Sequence, residues 1–143
     1  MDSAKASQDR DRYAMAQVET LAINREDLAV AALLRLSGEV DLETVPQLSD
    51  ALNAVVGESR SLIVDCSALQ YIDSAGLHAL FRAQRALDGC GQRMLVASPS
   101  PPLRRAFDII MLARHIHIVA SVEEALHLLG QRDGGGDRGR PTA

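Results

Sequence analysis

The chain of 143 residues has no tryptophan, and aromatic side chains make up only 3% of it. Because 47% of the residues are hydrophobic, aliphatic side chains must fill the core, and the length suits one ordinary domain. A surplus of basic residues is also lacking, since the formal net charge is −4. Proteins that bind nucleic acids usually neutralise phosphates with clustered Lys and Arg, so the composition argues against direct contact with nucleic acid.

Long apolar runs and abundant cysteine are missing as well. No apolar run is long enough to span a bilayer, and residues 1–10 lack the apolar core of a signal peptide, so we expect a cytoplasmic protein without membrane insertion. The two cysteines, Cys66 and Cys90, are too few for a disulfide framework and have no zinc-type spacing. We expect both to be reduced thiols at opposite edges of a sheet, with Cys66 at the end of a strand. The alternative is that these thiols have a redox-sensing role.

Two terminal segments have no hydrophobic periodicity. Residues 1–14 are polar and charged, and residues 132–143 include the triple glycine at 134–136. Both patterns predict disordered tails, and the glycines are not followed by the Lys-Ser or Lys-Thr of a phosphate-binding loop. Residues 15–131 are therefore predicted to form one domain.

The pattern between the tails predicts an α/β fold. Two strands that form an initial hairpin are followed by alternating helices and strands. Strands that are separated by helices favour parallel neighbours through right-handed crossovers, which predicts a mixed sheet of four to five strands with about four helices. The predicted elements are strands 18–24 and 28–36 with a turn at 25–27, helix 44–56, strand 61–65, a helix from 74, strand 93–97, a helix from 101 to about 112, strand 116–120 and a helix from 121 to 129.

The segment Tyr-Ile-Asp-Ser-Ala-Gly-Leu at 71–77 places Ser74 where a strand ends and a helix begins. The first N–H groups of a helix lack internal partners, and the helix dipole favours negative charge there. Such a residue can cap the helix, hold a phosphate or meet a partner, and the residue types alone favour the cap. Helices that follow parallel strands begin along one edge of the sheet, so we expect Asp41, Ser74 and Ser98 on the same rim.

The sequence offers no catalytic constellation around this serine. Ser74 lacks a Gly-x-Ser-x-Gly elbow, and no histidine is placed by sequence to activate it, although His78 could in principle reach back from one helical turn beyond. We expect no catalytic residues and no enzymatic activity.

Other polar side chains are weaker candidates. His115 and His117 alternate on a short strand and so face one side, but no third ligand is evident and we expect no metal site. Arg104 and Arg105 beside Asp108 are predicted to be a solvated helix face, with a secondary partner surface as the alternative.

Five motifs follow one another along the chain. They are Ser-Gly-Glu-Val-Asp-Leu at 37–42, Ile-Val-Asp-Cys-Ser at 63–67, Tyr-Ile-Asp-Ser-Ala-Gly-Leu at 71–77, Val-Ala-Ser-Pro-Ser at 96–100 and Ser-Val-Glu-Glu-Ala-Leu at 121–126. In these motifs and their order the sequence resembles the STAS domain, and within that family the bacterial anti-sigma factor antagonists. The resemblance covers about residues 17–130.

The resemblance implies a phosphorylation-controlled partner switch in transcription regulation and stress response, without a cofactor. The unmodified antagonist binds an anti-sigma factor, a serine kinase of the histidine-kinase ATPase type, and so frees the sigma factor. The kinase phosphorylates the residue that corresponds to Ser74, and a metal-dependent serine phosphatase reverses the reaction. The partner interface that the resemblance implies comprises Asp41, Asp73, Ser74, Ala75, Gly76 and Ser98.

The chain departs from the family pattern in two places. Ala75 stands where many relatives carry a second hydroxyl residue, and Ile-Met-Leu at 110–112 stands where the family often has a glycine. Other members of the family are accessory parts of transport systems or scaffolds of stress-signalling particles, and these roles are the alternative. The Asp73-Ser74 pair favours the switch, because a pure scaffold needs no acceptor there.

Overall fold

The structure is a computed structural model that describes residues 21–110 and 116–135. The predicted tail 1–14 and His115 lie outside the described residues. So do residues 136–143, most of the second predicted tail.

The described part has five strands and four helices. The strands are hydrogen-bonded in the order β1-β2-β3-β4-β5, with β1 antiparallel to β2 and the remaining pairs parallel. This arrangement confirms the predicted mixed sheet, and the strand count is the upper of the two expected values. The elements are β1 (Leu21–Asp27), β2 (Ala32–Val40), α1 (Val45–Gly57), β3 (Leu62–Ile72), α2 (Ser74–Gly89), β4 (Met94–Ala97), α3 (Pro101–Ile110), β5 (His117–Val119) and α4 (Val122–Gly135).

The initial hairpin is confirmed, but its turn lies later in the chain than predicted. Residues 25–27 belong to β1, and the chain reverses over residues 28–31, so that β2 begins only at Ala32. Charged side chains are acceptable in β1 because it is an edge strand. Arg25, for example, forms an ion pair with Glu58 of the loop after α1, with Nη2 and Oε1 2.6 Å apart.

Strand β3 is much longer than the predicted strand 61–65. It stays paired with β2 as far as the pair Val40 and Ile72, across two register shifts. The continuation was missed because residues 67–71 are mostly polar or exposed and interrupt the apolar pattern. The placement of Cys66 at the end of a strand is therefore wrong, since this residue lies within β3.

Helix α4 continues to Gly135, and thus into residues 132–135 of the predicted tail. That tail boundary is wrong. The reason is the cost of starting a helix compared with extending it: once the first turns are anchored, each further residue adds one hydrogen bond. The anchoring is visible in Ala125 and Leu129, which are buried against the sheet.

The core has two clusters on opposite faces of the sheet. Consecutive β3 residues alternate between them, since Leu62 and Val64 belong to one cluster and Ile63 to the other. This explains the continuous apolar run in the sequence, because both faces of β3 are covered there. The first cluster packs against α1, α2 and α3, and the second packs against α4. Within the described ranges, no helix has the length and apolar character needed to cross a membrane.

The two thiols are predicted to differ strongly in reactivity. Cys66 is buried in the first core cluster, and burial, with a smaller contribution from Asp65, raises the pKa of its thiol to about 12. Cys90 is exposed after the end of α2. Because the thiolate is the reactive form, we expect Ellman's reagent to modify Cys90 rapidly in the folded protein and Cys66 only after unfolding. A Cys90→Ser variant should lose the rapid phase, whereas rapid modification of Cys66 in the folded protein would contradict the prediction.

Candidate functional site

Ser74 is the first helical residue of α2, and its neighbour Asp73 is the helix cap. Asp73 has extended backbone angles, and its carboxylate accepts a hydrogen bond from the N–H of Gly76 at 3.0 Å. The interpretation of Ser74 as the cap is therefore wrong, because Asp73 already fills that role. Ser74 is exposed, so its hydroxyl group lies on the surface at the helix N-terminus.

The ends of β2 and β3 meet directly beside this serine. The N–H of Asp73 donates to the carbonyl oxygen of Val40 at 3.0 Å, which joins the start of α2 to the residue before Asp41. Asp41, Asp73 and Ser74 thus share one rim, which we define as residues 37–44 and 67–76. This is the common edge that the order of strands and helices predicts.

Asp41 has a structural task in addition to any role at an interface. Its Oδ1 accepts hydrogen bonds from the N–H groups of Glu43 and Thr44 at 3.0 and 3.1 Å, and its own N–H donates to the Thr44 hydroxyl at 2.9 Å. These bonds hold the turn from β2 into α1. An Asp-to-Asn change would keep an acceptor oxygen there and remove the charge.

Gly76 allows α2 to approach the sheet closely. The residue is buried, and a Cβ at this position would lie 2.6 Å from side-chain atoms of both Val40 and Ile72. Gly76 thus offers a partner no side chain, and its contribution to a surface is the position it gives to Ser74 and Ala75. Ala75 itself is partly buried.

Ser98 lies at the end of β4, and the pairing of Ala97 with Asp65 places it level with Cys66. Strand β3 continues for six more residues, about 20 Å along the strand, before the helix of Ser74 begins, so the structure does not bring Ser98 together with Ser74.

The N–H of Ser98 donates to Val119 and its hydroxyl to the carbonyl of Ala120, both at 3.1 Å, so it ties the ends of β4 and β5 together. Its φ of 63° lies in the left-handed region, which is uncommon for a residue other than glycine. The sequence carried no signal for this conformation.

The rim is acidic and has two exposed large hydrophobic side chains. Its two segments contain no Lys or Arg, and they contain the acidic residues Glu39, Asp41, Glu43 and Asp73. The hydrophobic side chains are Leu42, which is 76% exposed, and Tyr71, which is 50% exposed. Sequence reasoning missed both, although Leu42 falls outside every periodic apolar pattern and could have been noticed for that reason.

His78 does reach back along the helix, but to the backbone of Ser74. Its Nδ1 lies 2.8 Å from the Ser74 carbonyl oxygen, an arrangement in which a protonated Nδ1 donates to that oxygen. A ring nitrogen used in this way is directed away from the task of a general base for the hydroxyl group. Among residues 21–110 and 116–135, no three His, Cys, Asp or Glu side chains are arranged to hold a metal ion.

The remaining candidates lie away from Ser74. His117 Nδ1 is 2.8 Å from Nη2 of Arg93, and the pKa of this histidine is lowered mainly by burial and also by the nearby Arg93. Arg104, Arg105 and Asp108 are exposed on α3, in agreement with the prediction of a solvated helix face.

A family model described as the STAS domain matches residues 22–125. The chain belongs to the STAS domain family. The resemblance in the five sequence motifs is thereby confirmed. The anti-sigma-F factor antagonist RsfB of Mycobacterium tuberculosis is 26% identical over 125 residues, which are 87% of this STAS protein and 100% of RsfB.

Solved structures agree with this assignment. An anti-sigma factor antagonist from Mycobacterium paratuberculosis is 27% identical, with a TM-score of 0.71, over 77% of this chain and 94% of that one. The Bacillus cell fate determinant SpoIIAA in its phosphorylated form is 24% identical, with a TM-score of 0.60, over 76% of this chain and 99% of SpoIIAA. At that identity the likeness to SpoIIAA concerns the fold.

A shorter match is found in a membrane-transport protein. The sulfate transporter of Equus caballus is 38% identical over 47 residues, which are 33% of this chain and 6% of the transporter. This STAS domain therefore corresponds to a small part of that relative.

Proposed function

We propose that this STAS domain is an anti-sigma factor antagonist that works as a phosphorylation-controlled partner switch in the cytoplasm. Its unphosphorylated form binds an anti-sigma factor that is also a serine kinase, and thereby frees a sigma factor. Phosphorylation of Ser74 releases the anti-sigma factor, and a metal-dependent phosphatase restores the binding form. The observation that carries the proposal is an exposed serine at the start of α2, next to a separate capping residue on an acidic rim. The full-length match to an anti-sigma-F factor antagonist supports it.

The position of Ser74 suits a phosphate without loss of the fold. A phosphoryl group adds a charge of about −1.5 to −2 at neutral pH. At a helix N-terminus this charge faces unpaired N–H groups and the favourable end of the helix dipole. Because Asp73 provides the cap, modification of Ser74 breaks no capping hydrogen bond.

The same charge is unfavourable for a docked partner. The phosphate would stand beside Asp73 and close to the Asp41 turn, so a partner suited to the unmodified rim would meet added bulk and added negative charge. A desolvated like-charge contact costs several kcal/mol, which is enough to dissociate a complex of about micromolar affinity. Release therefore follows from local repulsion rather than from a change of fold.

Phosphorylation can be tested directly. The protein is incubated with ATP and purified candidate anti-sigma kinases, and the modified peptide is located by mass spectrometry. We expect one phosphoryl group on Ser74 and none on a Ser74→Ala variant. Ser98 and Ser100, which follow β4 and lie outside the rim, serve as internal controls. Unchanged phosphorylation of the Ser74→Ala protein would contradict the proposal.

We propose a binding role rather than catalysis, since the nearest histidine, His78, contacts the backbone of Ser74. The short match to a sulfate transporter favours a second candidate, an accessory role in a transport system or a signalling scaffold. Such a role needs no acceptor serine. It would be favoured if every candidate kinase left Ser74 unmodified.

A further inference from the structure

Three large hydrophobic side chains are strongly exposed among the described residues. They are Leu42, Tyr71 and Ile109, with 76%, 50% and 79% of their surfaces exposed. Single exposed apolar side chains are common on proteins, so exposure alone carries little weight. Their distribution is informative, because two of the three lie on the rim that carries Ser74.

The strand register places Leu42 and Tyr71 on neighbouring segments. Tyr71 pairs with Glu39 across β3 and β2, and Val40 pairs with Ile72 one position later. Leu42 therefore lies two residues after the last paired residue of β2, and Tyr71 precedes Ser74 by three residues. Since Ile72 is buried against the helices, Tyr71 projects from the other face of the strand.

The charge of the rim limits the partners that can cover these side chains. Glu39 and Glu43 are exposed around Leu42, and the rim segments have no basic side chain to balance them. A second copy of this chain would bring two acidic rims together, which is unfavourable. A partner with Lys and Arg opposite Glu39 and Glu43, and with an apolar surface over Ser74, would instead complement the acidic groups and the exposed apolar side chains. A charge on Ser74 would then be desolvated without a counter-charge in this complex.

We propose that Leu42 and Tyr71 are the apolar anchors by which the anti-sigma factor docks over Ser74. This proposal rests on the function proposed above and assigns the source of the binding energy. Binding energy at protein interfaces is concentrated in a few buried side chains, with Tyr among the enriched types, while charged groups at the edge mainly give orientation and specificity. The anchors hold the unmodified complex together, and the charge on Ser74 opposes it.

The test measures binding of the unphosphorylated protein to the purified anti-sigma factor that modifies Ser74, by calorimetry without ATP. We expect Leu42→Ala and Tyr71→Ala each to weaken binding by about tenfold or more, the usual size of an anchor effect. Ile109→Ala is the matched control, because this side chain is as exposed as Leu42 but lies outside the rim, about 12 Å along α3 from the start of that helix. It should change the affinity by less than about twofold, as is typical of residues outside an energetic centre.

Each outcome decides between distinct conclusions. If Leu42→Ala and Tyr71→Ala bind as tightly as Ile109→Ala while phosphorylated Ser74 still prevents binding, the anchor assignment is wrong and the switch stands. If the unmodified protein binds no anti-sigma factor, both proposals fail. If light scattering shows that the substitutions dissociate a dimer of this chain instead, the apolar surface serves self-association and the assignment is also overturned. Circular dichroism of each variant checks that the fold is retained.

Discussion

Replacement of Ser74 with Asp is expected to weaken binding of the anti-sigma factor by about a hundredfold or more, whereas Ser74→Ala should bind within about threefold of the unmodified protein. The aspartate places a carboxylate beside Asp73 and near Asp41 on a rim that lacks Lys and Arg. In a desolvated interface such a charge costs several kcal/mol, and each 1.4 kcal/mol corresponds to about a factor of ten. Alanine removes only an exposed hydroxyl group.

Calorimetric titration of both variants with the same anti-sigma factor measures this difference. Ser59→Asp is a control with the same charge change. Ser59 is exposed between α1 and β3, before the start of β3, whereas Ser74 follows the end of that strand. The positive φ of 55° at Ser59 is tolerated by aspartate, and we expect binding of this variant to match that of the unmodified protein. Equal affinities of the alanine and aspartate variants at position 74 would refute the electrostatic mechanism.

Gly76→Ala should lower the free energy of unfolding by about 1–3 kcal/mol, even though alanine is a better helix former than glycine. The added Cβ would lie 2.6 Å from Cγ1 of both Val40 and Ile72, which is closer than two carbon atoms that are not bonded approach one another. Both neighbours are buried in the core and cannot move away freely. Urea denaturation followed by circular dichroism measures the change.

Gly89 provides a control within the same helix. It is the last residue of α2, and a Cβ there would meet no atom within 4 Å. Gly89→Ala should therefore be neutral or stabilising by up to about 1 kcal/mol. Equal stability of the two variants would show that the sheet can adjust to a side chain at position 76.

The order of strands and helices could be predicted because local patterns determine most of it. In α1, Leu48, Leu52 and Val55 recur at helical spacing in the sequence, and the structure buries these three side chains. The alternation of helices with later strands correctly predicted parallel pairing. The ends of helices and strands depend on contacts with residues that are distant in the chain, so the local sequence predicted them less well. Arg25, for instance, belongs to a charged segment that becomes part of a strand because it pairs with Leu34 and its neighbours in β2.

The candidate site was predictable in position but not in detail. The pattern of an apolar strand, a polar pair and an amphipathic helix placed Ser74 at the start of a helix. Asp and Ser are almost equally good caps, so the sequence could not decide that Asp73 is the capping residue. The left-handed backbone of Ser98 and the exposure of Tyr71 depend on the ends of β4 and β3, whose three-dimensional environment the local sequence does not specify.

Asp73 caps α2, whereas the adjacent Ser74 is the proposed phosphorylation site, and this division has a consequence for protein turnover. Since the carboxylate of Asp73 secures the first turn of α2, adding a phosphate to the next residue and removing it again need not alter the fraction of unfolded molecules. Cellular proteases act mainly on chains that open, so unbound modified and unbound unmodified molecules should have equal lifetimes. Among unbound molecules, the ratio of the two forms would then report only the balance of the opposing enzymes.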